Sequence, residues 1–139
     1  MQEEALLGKK SLKKIILTSV FMNFFVALIF FMDMKIYSIY FIIINLFTVL
    51  ILCMRLLITK GFYYPRIILA IIYSAESLLF LKGFILSLFT PWGFMIIWDF
   101  PTICQLTYLI LFIIFAIKIF NKNISAFIAS RRDGNQNIT

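Results

Sequence analysis

Four long apolar runs, each about the length of a membrane span, leave this chain few ways to fold. They cover residues 15–32, 36–54, 67–89 and 102–120. A helix needs about 20 apolar residues to cross the hydrocarbon core of a bilayer. Inside that core every backbone N–H and C=O must be satisfied by the protein itself, so only helices and closed barrels can span it. A barrel strand alternates over about ten residues, whereas these runs are apolar on all faces. The expected fold is an all-α integral membrane protein. Its four-transmembrane-helix bundle occupies 15–132. An interfacial amphipathic N-terminal segment (1–14) precedes it, the last helix extends into the cytoplasm, and 133–139 form a disordered tail. Composition agrees: 63% of the 139 residues are hydrophobic and only 14% are charged, against about 25% charged in soluble domains. The first run follows Lys13 and Lys14 like a signal peptide. It is longer than an h-region and no small-x-small cleavage site follows, so it reads as a retained helix.

Orientation comes from the basic residues. Lys9, Lys10, Lys13, Lys14, Arg55, Lys60, Arg66, Lys118, Lys122, Arg131 and Arg132 all fall on one side of the bundle, and only Lys35 and Lys82 on the other. The positive-inside rule then puts both termini in the cytoplasm of a bacterial inner membrane. The net charge of +7 suits anionic headgroups at that face. No soluble segment interleaves basic and aromatic residues, so no nucleic-acid partner is expected. The chain has no histidine, and Glu3, Glu4, Asp33, Glu76, Asp99 and Asp133 include no two at metal-ligand spacing. No metal or cofactor is expected. Cys53 and Cys104 fall near opposite ends of the bundle, too far apart for a disulfide within the chain. Nothing marks an enzyme: there is no nucleophile elbow, no Gly-rich phosphate loop and no second acid beside Glu76.

The links carry their own signals. Asp33, Met34 and Lys35 form a tight turn that makes the first two helices antiparallel. The connection 90–101 is nearly as apolar as the helices, but Pro91, Gly93 and Pro101 break it, and Trp92 and Trp98 suit the headgroup level. It is either an interfacial loop on the outer leaflet or a re-entrant lid or partner contact. At the N-terminus, Ala5, Leu6, Leu7 and Leu12 are placed to rest on the membrane. Near the C-terminus, Phe120, Ile124, Phe127 and Ile128 share one helical face. The helix that carries them either runs out into the cytoplasm or bends along the surface. Lys118, Lys122, Arg131 and Arg132 are its candidate contacts to a cytoplasmic partner or to lipid.

The candidate site is polar and lies inside the membrane. Asn23, Asn45 and Glu76 each sit eight or nine residues into their runs, roughly 12–14 Å deep at 1.5 Å per residue. All three are therefore expected to meet near the midplane. Ser19, Asn23 and Ala27 make a small polar stripe on the first helix. Tyr73, Glu76, Gly83 and Ser87 make one on the third, and Gln105, Tyr108, Phe112 and Ala116 one on the fourth. Small residues let helices approach, and polar ones bond across them. Three roles are open to Glu76: a neutral acid in a hydrogen-bonded knot, a proton or cation site, or a contact to a membrane partner. A bare carboxylate at that depth costs several kcal/mol, whereas a protonated acid needs only hydrogen-bond partners.

The functional expectation is a non-enzymatic inner-membrane subunit. It would be homo-oligomeric, embedded in the lipid bilayer and coupled to a protein partner at the cytoplasmic or membrane face. The alternative is a small ion or proton pathway using Glu76. Residue usage rich in Ile, Phe, Leu, Lys and Asn is that of an AT-rich bacterial gene. In size, helix number and basicity the chain resembles bacteriocin-immunity proteins and membrane components of antiphage systems. That resemblance implies a defence or immunity setting.

Overall fold

Helix ends, more than helix interiors, decide how this chain turns. In the computed structural model, which describes residues 2–32, 39–89 and 100–134, the second helix stops at Gly61. Its φ of +93° is a left-handed conformation open mainly to glycine. The N–H of Phe62 reaches the Leu57 carbonyl at 3.3 Å and that of Gly61 reaches Ile58 at 2.9 Å, the paired bonds of a Schellman cap. Pro65 then opens the third helix in its first turn, where the missing N–H costs nothing.

The described residues form five helices: α1 (Gln2–Met32), α2 (Ile39–Thr59), α3 (Tyr64–Leu88), α4 (Phe100–Lys118) and α5 (Lys122–Arg132). No strand occurs among the described residues. Helices within Gln2–Ile29, Ile39–Thr59 and Tyr64–Leu86 are long and apolar enough to cross a membrane. Ile103–Lys118 and Lys122–Arg132 meet that test only together, across a 50° bend. Among the described residues the fold is thus an all-α bundle in which three helices, or four if the bent pair counts as one, are long and apolar enough to span a membrane. The 33–35 turn, the 90–99 part of the outer connection with Trp92 and Trp98, the Ser87 side chain and residues 135–139 lie outside what is described.

The ends of the polypeptide differ from the expectation. The 1–14 segment is not a separate surface helix but the first turns of α1, which runs unbroken for 31 residues, about 46 Å. That exceeds a roughly 30 Å hydrocarbon core. Ala5 and Leu12 do not face outward to rest on lipid but are buried in the protein. Ala5, Gly8, Leu12, Ile15, Ser19, Met22 and Val26, alternately three and four apart, form one buried stripe along the whole helix. Leu6 and Leu7 are the exposed ones.

The lower part of that stripe is covered by α5. Asn121 ends α4 and caps α5, its side chain accepting from the Asn123 N–H at 3.0 Å. The chain therefore bends and folds back on α1. Of the predicted face, Ile124, Phe127 and Ile128 are buried and Phe120 is exposed. Burying such side chains stabilises by about 1.5–3 kcal/mol each where they leave water. Gly8 makes the crossing possible, because a Cβ there would collide with the Asn123 carbonyl.

The other close pair is α3 with α4. Tyr73 and Phe80 of α3 stack on Phe112 of α4 with centroids 6.0 and 5.8 Å apart, and Phe80 meets Tyr108 edge-on at 5.3 Å. Gln105 lies over Gly83. The stripe read on the fourth helix is therefore its packing face. Helix α2 touches α1 and α3 through Ile44, Ile51 and Ile58, seven residues apart.

Candidate functional site

Two polar rungs join α1 to α3 inside the bundle. Asn23 donates from Nδ2 to Glu76 Oε1 at 2.7 Å, both residues being at most 2% exposed. One turn earlier, the hydroxyls of Ser19 and Tyr73 lie 3.1 Å apart, and both residues are wholly buried. The rungs rise together, four residues apart on α1 and three on α3, as parallel helices require. The two backbones pack more closely on other helices than on each other, so long side chains reach across. Ser19 also bonds the Ile16 carbonyl at 2.9 Å and Ser77 that of Tyr73 at 2.8 Å.

Glu76 Oε2 is buried and has no hydrogen-bond partner among the described residues. Because Asn23 supplies an N–H, Oε1 is an acceptor, and a proton on Oε2 would be an O–H with no acceptor among the described residues. An unpaired carboxylate oxygen in the same place would be much the costlier arrangement. Gln105 Oε1 is likewise buried without a partner.

The predicted trio is only partly assembled. Asn23 and Glu76 meet, but Asn45 does not join them. It is exposed on α2 and donates to the carbonyl of Phe41 at 2.8 Å. Equal depth brings residues together only if helix phase agrees, and Asn45 lies about 100° round α2 from the buried Ile44. The Ser19–Tyr73 rung joins two residues that the sequence places in separate polar stripes without pairing them. Lys82 is exposed, and its Nζ donates to the Tyr40 hydroxyl at 3.4 Å.

A second polar region forms where α5 folds back. Lys122 pairs with Glu4 at 3.0 Å. This bond holds the Glu4 carboxyl below its usual range, first by hydrogen bonding and then by charge. Its contribution is present above the ordinary carboxylate pKa and lost as pH falls through the lowered value. Arg66 donates to Ser125 at 2.6 Å and spreads over the rings of Phe120 and Tyr63 at 5.3 and 5.6 Å. The Gly61 turn abuts the backbone of Arg131 and Arg132, and Arg131 lies 5.7 Å over Phe127. Lys118, Lys122 and Arg132 are exposed. The start of α1, the α2–α3 turn and the α4–α5 bend therefore share one end of the molecule, and the eleven basic residues counted to one side belong to these elements.

A groove of about 400 Å³ runs between α3 and α4, with Ser74, Ser77, Leu78, Leu109, Ile113 and Ala116 among its walls. Both serine hydroxyls bond to carbonyls of their own helix, which leaves it apolar. Comparison with protein-family models, curated proteins and solved structures gives no match to this chain.

Proposed function

We propose that this chain is a small non-enzymatic subunit of a bacterial inner membrane, homo-oligomeric and coupled through its basic end to an acidic protein partner in the cytoplasm. It spans four times, with α4 contributing the last span, α5 docked at the inner end and both termini inside. One observation carries the reading: basic residues from α1, the α2–α3 turn and α5 gather at one end around a docked helix. A flexible basic tail would satisfy the positive-inside rule equally well. A folded cationic surface presents its charges in fixed positions, as electrostatic recognition of a partner requires. A defence or immunity role is the setting that this size and charge fit.

The partner claim is tested by purification of the tagged protein from its native membranes. The Lys118→Glu/Arg132→Glu variant is expected to lose, several-fold, a protein that wild type retains at low salt and releases at high salt. Equal recovery with both proteins contradicts the coupling. Orientation is tested in a Cys53→Ser/Cys104→Ser background. An impermeant thiol reagent is expected to label Lys35→Cys in intact cells and Lys60→Cys only after lysis. The reverse pattern overturns the topology.

A second reading has its own support. The partnerless, buried Oε2 of Glu76 is an ionisable oxygen inside the membrane, the usual mark of an ion or proton pathway.

A further inference from the structure

Asn45 poses a problem that a single copy of this bundle does not solve. It lies on α2 about 9 Å from the start of the helix, between Ile44 and Leu46, and is exposed. Its one bond uses one amide N–H, to the Phe41 carbonyl at 2.8 Å. The second N–H and Oδ1 meet no partner among the described residues. In the hydrocarbon region lipid offers them nothing.

The surroundings of Asn45 have a regular pattern. Ile42, Asn45, Val49, Leu52, Leu56 and Thr59 are spaced alternately by three and four, and all are exposed. This is the seam of a coiled-coil-like helix pair. It lies about 130° round the helix from the stripe of Ile44, Ile51 and Ile58 that packs into the bundle. Helix α2 thus has two faces with helix-packing spacing, one packed into the bundle and one left exposed by the described residues.

We propose that the exposed face is a homodimer interface, with α2 packed in parallel on α2 of a second copy and Asn45 bonded to Asn45. The occupant follows from chemistry and symmetry. A carboxamide carries both a donor and an acceptor, so it is complementary to itself. A two-fold axis along the bilayer normal keeps equivalent residues at equal depth, so Asn45 must face Asn45. An unrelated helix would need its own polar group at that level and phase. One Asn in an otherwise apolar seam also fixes register. The proposal deepens the oligomeric part of the reading above, and the two fail separately. Native mass measurement in lipid can find an oligomer whichever helix forms it.

The test uses the full chain in native membranes with Cys53→Ser and Cys104→Ser. Val49→Cys, Leu52→Cys and Leu56→Cys are expected to form disulfide-linked dimers under mild oxidation. Leu46→Cys and Leu57→Cys, exposed on α2 but off the seam, are expected to link weakly. In energy-transfer dilution in lipid, Asn45→Leu is expected to weaken self-association roughly tenfold, the scale of an interhelical polar contact in a membrane. Asn45→Gln is expected to keep most of it. Equal cross-linking on and off the seam, or unchanged association in Asn45→Leu, overturns the proposal and leaves this face to lipid or another protein.

Discussion

Replacing Gly8 with leucine is expected to detach α5 from α1 and expose the C-terminal third of the basic end to protease. A Cβ at Gly8 has no room, because it would fall on the backbone carbonyl of Asn123. A backbone atom cannot rotate away as the tip of a side chain can. The two helices must separate, and Ile124, Phe127 and Ile128, each at most 1% exposed, then lose their cover. Overpacking alone costs about 1–3 kcal/mol, and truncating a buried Phe costs about 3–5 kcal/mol, so full undocking falls in that upper range. Gly8→Ala carries the same clash with less bulk and is expected to give a smaller change of the same sign. The measurement is the rate at which trypsin removes a C-terminal tag from the detergent-solubilised protein. Wild-type resistance in Gly8→Leu contradicts the docked position of α5.

Glu76 is expected to tolerate glutamine and not leucine. Glutamine keeps the length and the carbonyl oxygen that Asn23 needs at 2.7 Å. Leucine removes the acceptor and strands the Asn23 amide, which is 2% exposed. The loss is on the order of 1–3 kcal/mol, the penalty for leaving a buried polar group unpaired. The double variant Asn23→Leu/Glu76→Leu is expected to recover part of it, because removing both partners leaves nothing unsatisfied. Thermal unfolding in a fixed detergent reads wild type, Glu76→Gln, the single variants Glu76→Leu and Asn23→Leu, and the double variant. If the double variant loses as much as the sum of the two single ones, the rung is not the source of the effect.

The sequence made the spans legible because each is a run of apolar residues with a break at its end, and such breaks are local. Depth was legible for the same reason: counting from the start of a run puts Asn23 and Glu76 at one level. Rotation was not. Helix α2 is apolar all round, so nothing local tells the Ile44–Ile51–Ile58 stripe from the Ile42–Val49–Leu56 one, and depth alone does not say which side Asn45 takes. At the start of α1, Leu6 and Leu7 suggest a membrane-facing surface helix. The informative pattern was the small residues Ala5 and Gly8 in step with Leu12, Ile15 and Ser19. Where α5 docks depends on Gly8 and Asn123, 115 residues apart, a pairing that no local pattern carries. The position of Asn121 is the exception, since a helix-capping Asn three residues past Lys118 marks where the chain must bend after the last span.

We propose that the polar interior holds the bundle together and conducts nothing. Proton flux into dye-loaded proteoliposomes, driven by a potassium diffusion potential, tests it most directly. Wild type and Glu76→Gln are expected to leak no faster than protein-free vesicles. A flux through wild type that Glu76→Gln abolishes while still assembling would contradict the account and make Glu76 a working proton site.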